Sequence, residues 1–433
     1  MAELFRSTNS LRLFAAAVAF ALIAILGCAL PATVTRIDAV VAHADAYTYR
    51  MSPRDEAMIP TIAQRENDFG FSLLRSVDDH SGNVFISPIS VGQAMTMLCD
   101  GARGETRTQI AGAMNFAGLG AADVDGASFG LRNAVTGADS SVDLSVANAL
   151  WADRSVDFRP TYADRCLSIF DAPSTTLDFN SPSAASIINS WVSQNTKGKI
   201  TSILAPGPIF GAGAVLTDAV YFHGSWSNKF DPQATESAPF TGSAGTSIQL
   251  PMMHQTTDFA VMQNNIFQAV KLPYGNGRIS MVIVLPRAGV PLESLSYGLT
   301  SDEWRTWLSS MSEYPVDLTL PKFHIDYSTS LASGLKTMGI RDAFGPGAAD
   351  FEPMSDTAMY VSDVLHKTTL DVDETDTTAT AATAIVMAQS CAAPSPPIAP
   401  IVIRVDHPFL CAIQDNTTGA LLFVGYIRDP QAM

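Results

Sequence analysis

From about residue 63 to residue 430 the chain alternates between helical and extended apolar spacings, with no internal repeat and no interior linker. Ser87-Pro88 offers a capping hydroxyl and a first-turn proline, and the run SVGQAMTMLCDGARG predicts a helix that stops at Gly101. Residues 184–192 (AASIINSWV) predict another helix, ending near Thr196-Lys197-Gly198. Alternation marks strands at 142–152 (VDLSVANALWA) and 214–226 (AVLTDAVYFHGSW). FQAVKLPYGNGRISMVIVLP predicts a hairpin turning at Gly275-Asn276-Gly277. VDLTLPKFHID at 316–326, a helix near 329–338 and the last strands IVIRVDHPFLCAI and ALLFVGYI complete the pattern. Strands mixed with helices, without strict βα alternation, place the chain in the α+β class.

Two segments stand outside this pattern. Arg6 and Arg12 precede an uncharged apolar run, residues 13–30, which reads as an export signal or membrane anchor. Ile25-Leu26-Gly27-Cys28 has the form of a bacterial lipobox, with Cys28 as the lipid-bearing residue. Cleavage after Ala42-His43-Ala44 and an uncleaved span are the alternatives, and all three place the remainder outside the cytoplasm. Residues 29–60 show no periodicity and read as a tether, leaving 61–433 as the folded domain. The second segment, 377–403, carries no charged residue. TTATAATAIVMA is small and β-compatible, whereas APSPPIAP cannot continue a sheet interior. As a strand, it would place Thr377, Ala379, Ala381, Thr383, Ile385 and Met387 on one face. A face that small suits a segment exposed in one state and a strand in another.

Charge narrows the partners. Against 26 Lys and Arg stand 42 Asp and Glu in 433 residues, a formal net charge of −16. Nucleic acid, heparin-like polyanions and anionic lipid surfaces all call for a cationic face. With 47% hydrophobic and 16% charged residues the chain has the apolar content of a folded protein. Five scattered cysteines suit neither a disulfide framework nor zinc, so no metal or other cofactor is expected, and Cys99 and Cys411 read as buried small hydrophobes. Gly126-Ala127-Ser128-Phe129-Gly130 satisfies the GxSxG hydrolase pattern, but no apolar strand precedes it, and it reads as a loop. HExxH spacing and Walker-type loops are absent, so the chain is not expected to be an enzyme.

A set of ordered strings then carries a resemblance. They run from NVFISPIS at 83–90 and GARGET at 101–106, through NALW at 148–151, Ile188-Asn189, TKGKI at 196–200 and YFHGSW at 221–226 with Phe230. LPY at 272–274, LPKF at 320–323, ADF at 349–351, His366-Lys367 and DHPF at 406–409 follow. In order and spacing over most of the chain these residues resemble the serpin family, here as a prokaryotic-type secreted or membrane-anchored member. The resemblance implies one large domain of three β-sheets and eight or nine helices, a monomer, with an exposed reactive-centre loop at about 374–405. It implies a suicide-substrate inhibitor of serine proteases, with a non-inhibitory binding or chaperone-like member as the alternative.

Residue by residue, the resemblance places the cut bond at Ser390–Cys391, counted from the hinge at Glu374, with bonds one or two positions either side as the alternatives. Neither Arg nor Lys occurs between 377 and 403, which favours elastase-like or subtilisin-like targets over trypsin-like ones. Thr377, Ala379, Ala381, Ala382 and Thr383 fit the small inhibitory hinge. Asp376 and Thr378 depart from it, standing where inhibitors usually carry glycine and glutamate. Glu374, Lys322 and Trp226 match the contacts at the top of the central sheet. Ser87, Ser90 and His366 match the polar cluster under its centre, where Asp218 replaces the usual asparagine. Asp218 and His366 are expected in contact, as a quiet isosteric swap with a neutral hydrogen bond or, alternatively, as an ion pair that would make sheet opening pH-dependent.

Overall fold

Residue 53 opens the first helix, and local chemistry explains why. Ser52 accepts from the Asp55 N–H at 3.2 Å while the Asp55 carboxylate accepts from the Ser52 N–H at 2.6 Å, a reciprocal cap ahead of Pro53. The computed structural model describes residues 49–209, 211, 213–374 and 398–432. The first helix, α1, runs Pro53–Val77, followed by β1 (Val84–Ile86), α2 (Pro88–Asp100), α3 (Gly104–Ala113), α4 (Ala121–Thr136) and β2 (Val142–Asp153). Next come α5 (Pro160–Phe170), β3 (Ser174–Leu177), α6 (Ala184–Asn195) and β4 (Ala214–Gly224). A β-rich stretch holds β5 (Glu236–Thr241), β6 (Ser247–Gln263), β7 (Phe267–Tyr274) and β8 (Ile279–Pro286). It leads to α7 (Ser301–Ser309), β9 (Ser312–Pro321), β10 (Phe323–Ser330), α8 (Ala332–Thr337) and β11 (Val361–Val372). The chain ends in β12 (Ile401–Arg404), β13 (Phe409–Asp415) and β14 (Leu421–Ile427).

This is the expected α+β architecture, with eight α-helices among the described residues. Among the described residues two hydrogen-bonded sheets stand where three were expected. One has five strands, β10-β11-β4-β2-β3; the other runs β1-β14-β13-β8-β7-β6-β9-β12, with β5 on β6. The reason is β6, whose 17 residues pair with β5 and β9 and, at their end, with β7, so two sheets merge through one strand. β8, β13 and β14, apolar but for Ser280, Gln414 and Asp415, are buried at every residue and form the floor of the core. Phe222 of the five-stranded sheet meets Phe423 of that floor edge-on, with ring centroids 5.8 Å apart. Such a pair adds about 0.5–1.5 kcal/mol beyond burial.

Two expectations need correction. Residues 53–60 are not tether but the first two turns of α1, and Pro60 lies inside that helix. The GxSxG segment is not a loop but part of α4. Its glycines serve helix packing: a Cβ on Gly126 would collide with Asp55 and Tyr49, and one on Gly130 with Met51 and Ile59.

Where α1 crosses α2, Glu66 fills the space over Gly92. Its side chain is buried, and neither carboxylate oxygen has a hydrogen-bond partner. Burial therefore pushes the Glu66 pKa well above the usual carboxylate range. The native state thus holds this proton to higher pH than the unfolded chain, and stability drains away as pH rises from the unfolded value, about 4.3, to the raised one. Replacing Glu66 by Met keeps the volume and removes the carboxylate. The urea midpoint at pH 8 should rise, by about 1–3 kcal/mol in stability, and the decline between pH 5 and pH 8 should shrink.

Candidate functional site

The unusual place in the five-stranded sheet is the seam between β11 and β4. These central strands run parallel and pair directly, from Val361 opposite Ala214 to Leu370 opposite Phe222. β10 lies antiparallel on one side of the pair and β2 on the other. β11 leads at its top into Glu374, and the chain returns at residue 398 to enter β12, an edge strand of the other sheet. A strand turning back from the end of β11 into the seam would be antiparallel to both neighbours, replacing one parallel ladder by two antiparallel ones.

Glu374, Lys322 and Trp226 do meet at the top of this seam. Lys322 follows β9 and donates through Nζ to Glu374 Oε2 at 2.8 Å. The other oxygen accepts from Thr235 Oγ1 at 2.8 Å. Trp226 donates from its indole to the Asp373 carbonyl at 2.8 Å and stacks on Tyr274, with centroids 4.3 Å apart. Burial works to raise the Glu374 pKa, but hydrogen bonds from Lys322 and Thr235 outweigh it and hold the carboxyl below its ordinary value. The sign follows: this clasp contributes above the unfolded carboxylate value, about 4.3, and is lost as pH falls through the lower folded one. Glu374→Gln should therefore expose the amides of residues 370–374 to faster hydrogen exchange at pH 7. Parent and variant should converge as pH is lowered through the folded value, once intrinsic exchange is corrected.

Lower down, α2 delivers its N-terminus beneath the seam. Ser87 caps the helix by accepting from the Ser90 N–H at 3.4 Å. The close crossing of α1 and α2 seats Pro88 where a Cβ on Gly70 would collide with it. Ser90 Oγ is then 2.9 Å from Asp218 Oδ1 and 3.1 Å from Asn148 Oδ1. Asp218 and His366, opposite each other across the seam, are fully buried, with His366 Nδ1 3.2 Å from Asp218 Oδ1. The expected contact between Asp218 and His366 is present. His366 Nε2 accepts the Ser87 backbone N–H at 3.2 Å, and a doubly protonated ring would set N–H against N–H there. The cluster is also under-satisfied: Asp218 Oδ2 and His366 Nδ1 have no well-formed hydrogen bond.

Sequence reasoning missed Thr235 and Asn148. Nothing near Thr235 marks it as a partner of a residue far along the chain. Asn148 sits inside NALW, yet the hydrogen bond its side-chain Nδ2 donates to the Ser90 carbonyl, 3.1 Å, needs the fold. Asp376, Thr377, Thr378, Ala379, Ala381, Ala382, Thr383, Ser390, Cys391 and the Cys28 lipid site lie outside the described residues. Cys99, Cys166 and Cys411 are free and buried, and burial lifts the first two thiols to about 11 and about 12. The one metal-type cluster among the described residues joins Asp78, His80 and Glu293. Arg428 already grips both Asp78 oxygens and Glu293, at 2.7–2.9 Å, so a cation would have to displace a guanidinium. No helix among the described residues is long and apolar enough to cross a membrane.

Comparison with known proteins agrees with this geometry. Residues 64–430 match the family described as serpin (serine protease inhibitor). Serpin B6 of Pongo abelii is 35% identical over 378 residues, covering 85% of this chain and 99% of its own. Leukocyte elastase inhibitor of Xenopus tropicalis is 34% identical, covering 84% of this chain and 97% of its own. The crystal structure of the thermophilic serpin tengpin in the native state superposes with a TM-score of 0.76 at 25% identity, covering 89% of this chain and 96% of its own.

Proposed function

Because the chain belongs to the serpin family of serine protease inhibitors, we propose that it is a suicide substrate whose loop, once cut, joins the central sheet. The observation that carries this reading is the parallel β4–β11 seam, placed where β11 runs out into residues 375–400. The protease's serine Oγ attacks the Ser390 carbonyl carbon. The bond to the Cys391 nitrogen breaks, and the new amine leaves with the proton. The Ser390 acyl group remains as an ester on the protease while residues 375–390 enter the seam. About fifteen extended residues span roughly 50 Å, and a displacement of even ~1 Å in a catalytic group can slow deacylation about 100-fold.

Register follows from charge. A turn between residues 374 and 375 pairs Thr383 with His366, Ala381 with Thr368, Ala379 with Leu370 and Thr377 with Val372. Those four β11 residues are buried, so the small face goes inward and Asp376 stays on the outer face. A one-residue slip would turn every side chain over and drive Asp376 into the core. In the favoured register Asp376 arrives opposite Asp373, and like charges across a ladder are destabilising. Asp376→Gly should accordingly raise the yield of trapped protease several-fold. The same residue favours the second reading, a non-inhibitory member that is cleaved without trapping.

Small residues around Ser390, together with the likeness to a leukocyte elastase inhibitor, support elastase-like or subtilisin-like targets. The apolar run at 13–30 and Cys28 support an extracytoplasmic, exported or lipid-anchored protein. Mixing the chain with elastase, subtilisin and trypsin tests the reading. A denaturant-stable band at the summed mass, with a released peptide beginning at Cys391, is expected with the first two proteases. Quantitative cleavage with no such band would leave the non-inhibitory reading.

A further inference from the structure

Three strands meet at one carboxylate on the outer face of the seam, away from the residues assigned above. Asp371 lies opposite His324 in the β10–β11 ladder, and its Oδ1 is 2.7 Å from His324 Nδ1. Its other oxygen, Oδ2, accepts a hydrogen bond from Tyr221 Oη at 3.3 Å, reaching across the seam from β4. The register explains the reach: Thr369 pairs with Tyr221, and Asp371 stands two residues on, along the same face. Tyr221 is buried against Val192 of α6 and Ile200 just beyond it, and Lys199 Nζ lies 4.9 Å from its ring centroid. Burial, with Asp371 beside it, raises the Tyr221 pKa, so the phenol stays a donor at neutral pH.

We propose that Tyr221 and Asp371 form a latch across β4 and β11 that sets the rate at which the central sheet admits another strand. The inference rests on the insertion reading above and names two residues that control its speed. Neighbouring strands lie about 4.8 Å apart, so an inserted strand would move β4 and β11 to roughly twice that. A phenol–carboxylate bond cannot span the wider gap and must break first. Its other supports survive the parting. Asp371 keeps His324, which travels with β11, and Tyr221 keeps Lys199 and α6, which stay with β4. The bond is therefore present in the closed sheet and lost in the opened one, whereas ordinary packing would persist in both. Faster opening gives insertion an advantage over ester hydrolysis, so the latch also decides how often the chain traps its protease rather than being consumed.

The test uses the full chain and a synthetic peptide with the sequence of residues 375–388, its uptake followed by native gel. Tyr221→Phe removes one oxygen and keeps the ring. Uptake should accelerate about ten-fold, the change expected for one charge-assisted hydrogen bond. Asp371→Ala should do the same, and the double variant should be no faster than the faster single one. Loop-cleaved Tyr221→Phe should unfold at the same urea concentration as the loop-cleaved parent. Uptake at the parent rate, additive effects, or equal destabilisation of the intact and cleaved forms would each overturn the latch while leaving insertion intact. A parent chain that takes up no peptide and gains no stability on loop cleavage would overturn both.

Discussion

Thr383→Arg is expected to turn the inhibitor into a substrate: trapped complex should fall at least ten-fold while the bond at Ser390–Cys391 is cut at close to the parent rate. Attack on the loop precedes insertion, so the substitution leaves the first step alone. In the register set by Asp376, residue 383 must come to rest opposite His366, which is fully buried. An arginine there carries a charge it cannot shed into a site already short of hydrogen-bond partners, at a cost of several kcal/mol. Slowed insertion gives water time to hydrolyse the ester. Thr378→Arg supplies the control, since in that register residue 378 would face outward opposite Asp371, and it should retain most of the trapping. The opposite outcome, with Thr378→Arg inactive and Thr383→Arg active, would mean that the strand enters one residue out of register. Densitometry of denaturing gels at matched protease ratios reads both effects.

His366→Ala should cost the intact protein about 3 kcal/mol. The imidazole fills buried space over the start of α2 and is the acceptor for the Ser87 N–H. Alanine leaves a cavity and an orphaned backbone donor together. Asp218 also loses the ring 3.2 Å away while remaining buried. Urea unfolding of the intact chain should show the loss as a lower midpoint. Adding His366→Ala to Asp218→Asn should cost less than the sum of the two, because the side chains share one cluster.

Much of this was legible in the residues themselves. The Ser87-Pro88 cap, the Gly275-Asn276-Gly277 hairpin and the strands at 142–153 and 214–224 follow from local pattern, because turn and cap chemistry is local. The start of α1 was not, although Ser52-x-x-Asp55 carries its cap. The exposed first turns have no apolar stripe, and Pro60 reads as a breaker. α4 was obscured by Gly126 and Gly130, poor helix formers that are there because α1 passes too close for a Cβ. At the site, the Lys322–Glu374 clasp and the Ser87–His366 cluster were reached through family resemblance, since partners so far apart in sequence leave no local signal. The charge of Asp218 suggested an ion pair. The Ser87 N–H that meets the other side of the His366 ring is a backbone group that no sequence pattern reveals.

The central claim is that β4 and β11 part to admit residues that follow Glu374. It is tested most directly by melting the chain before and after a single cut in the loop, under identical conditions. Insertion adds two antiparallel ladders, so the cleaved form should melt higher by roughly 10 °C or more. It should also stop taking up the 375–388 peptide. A cleaved form that melts with the intact one, and still binds the peptide, would contradict the account.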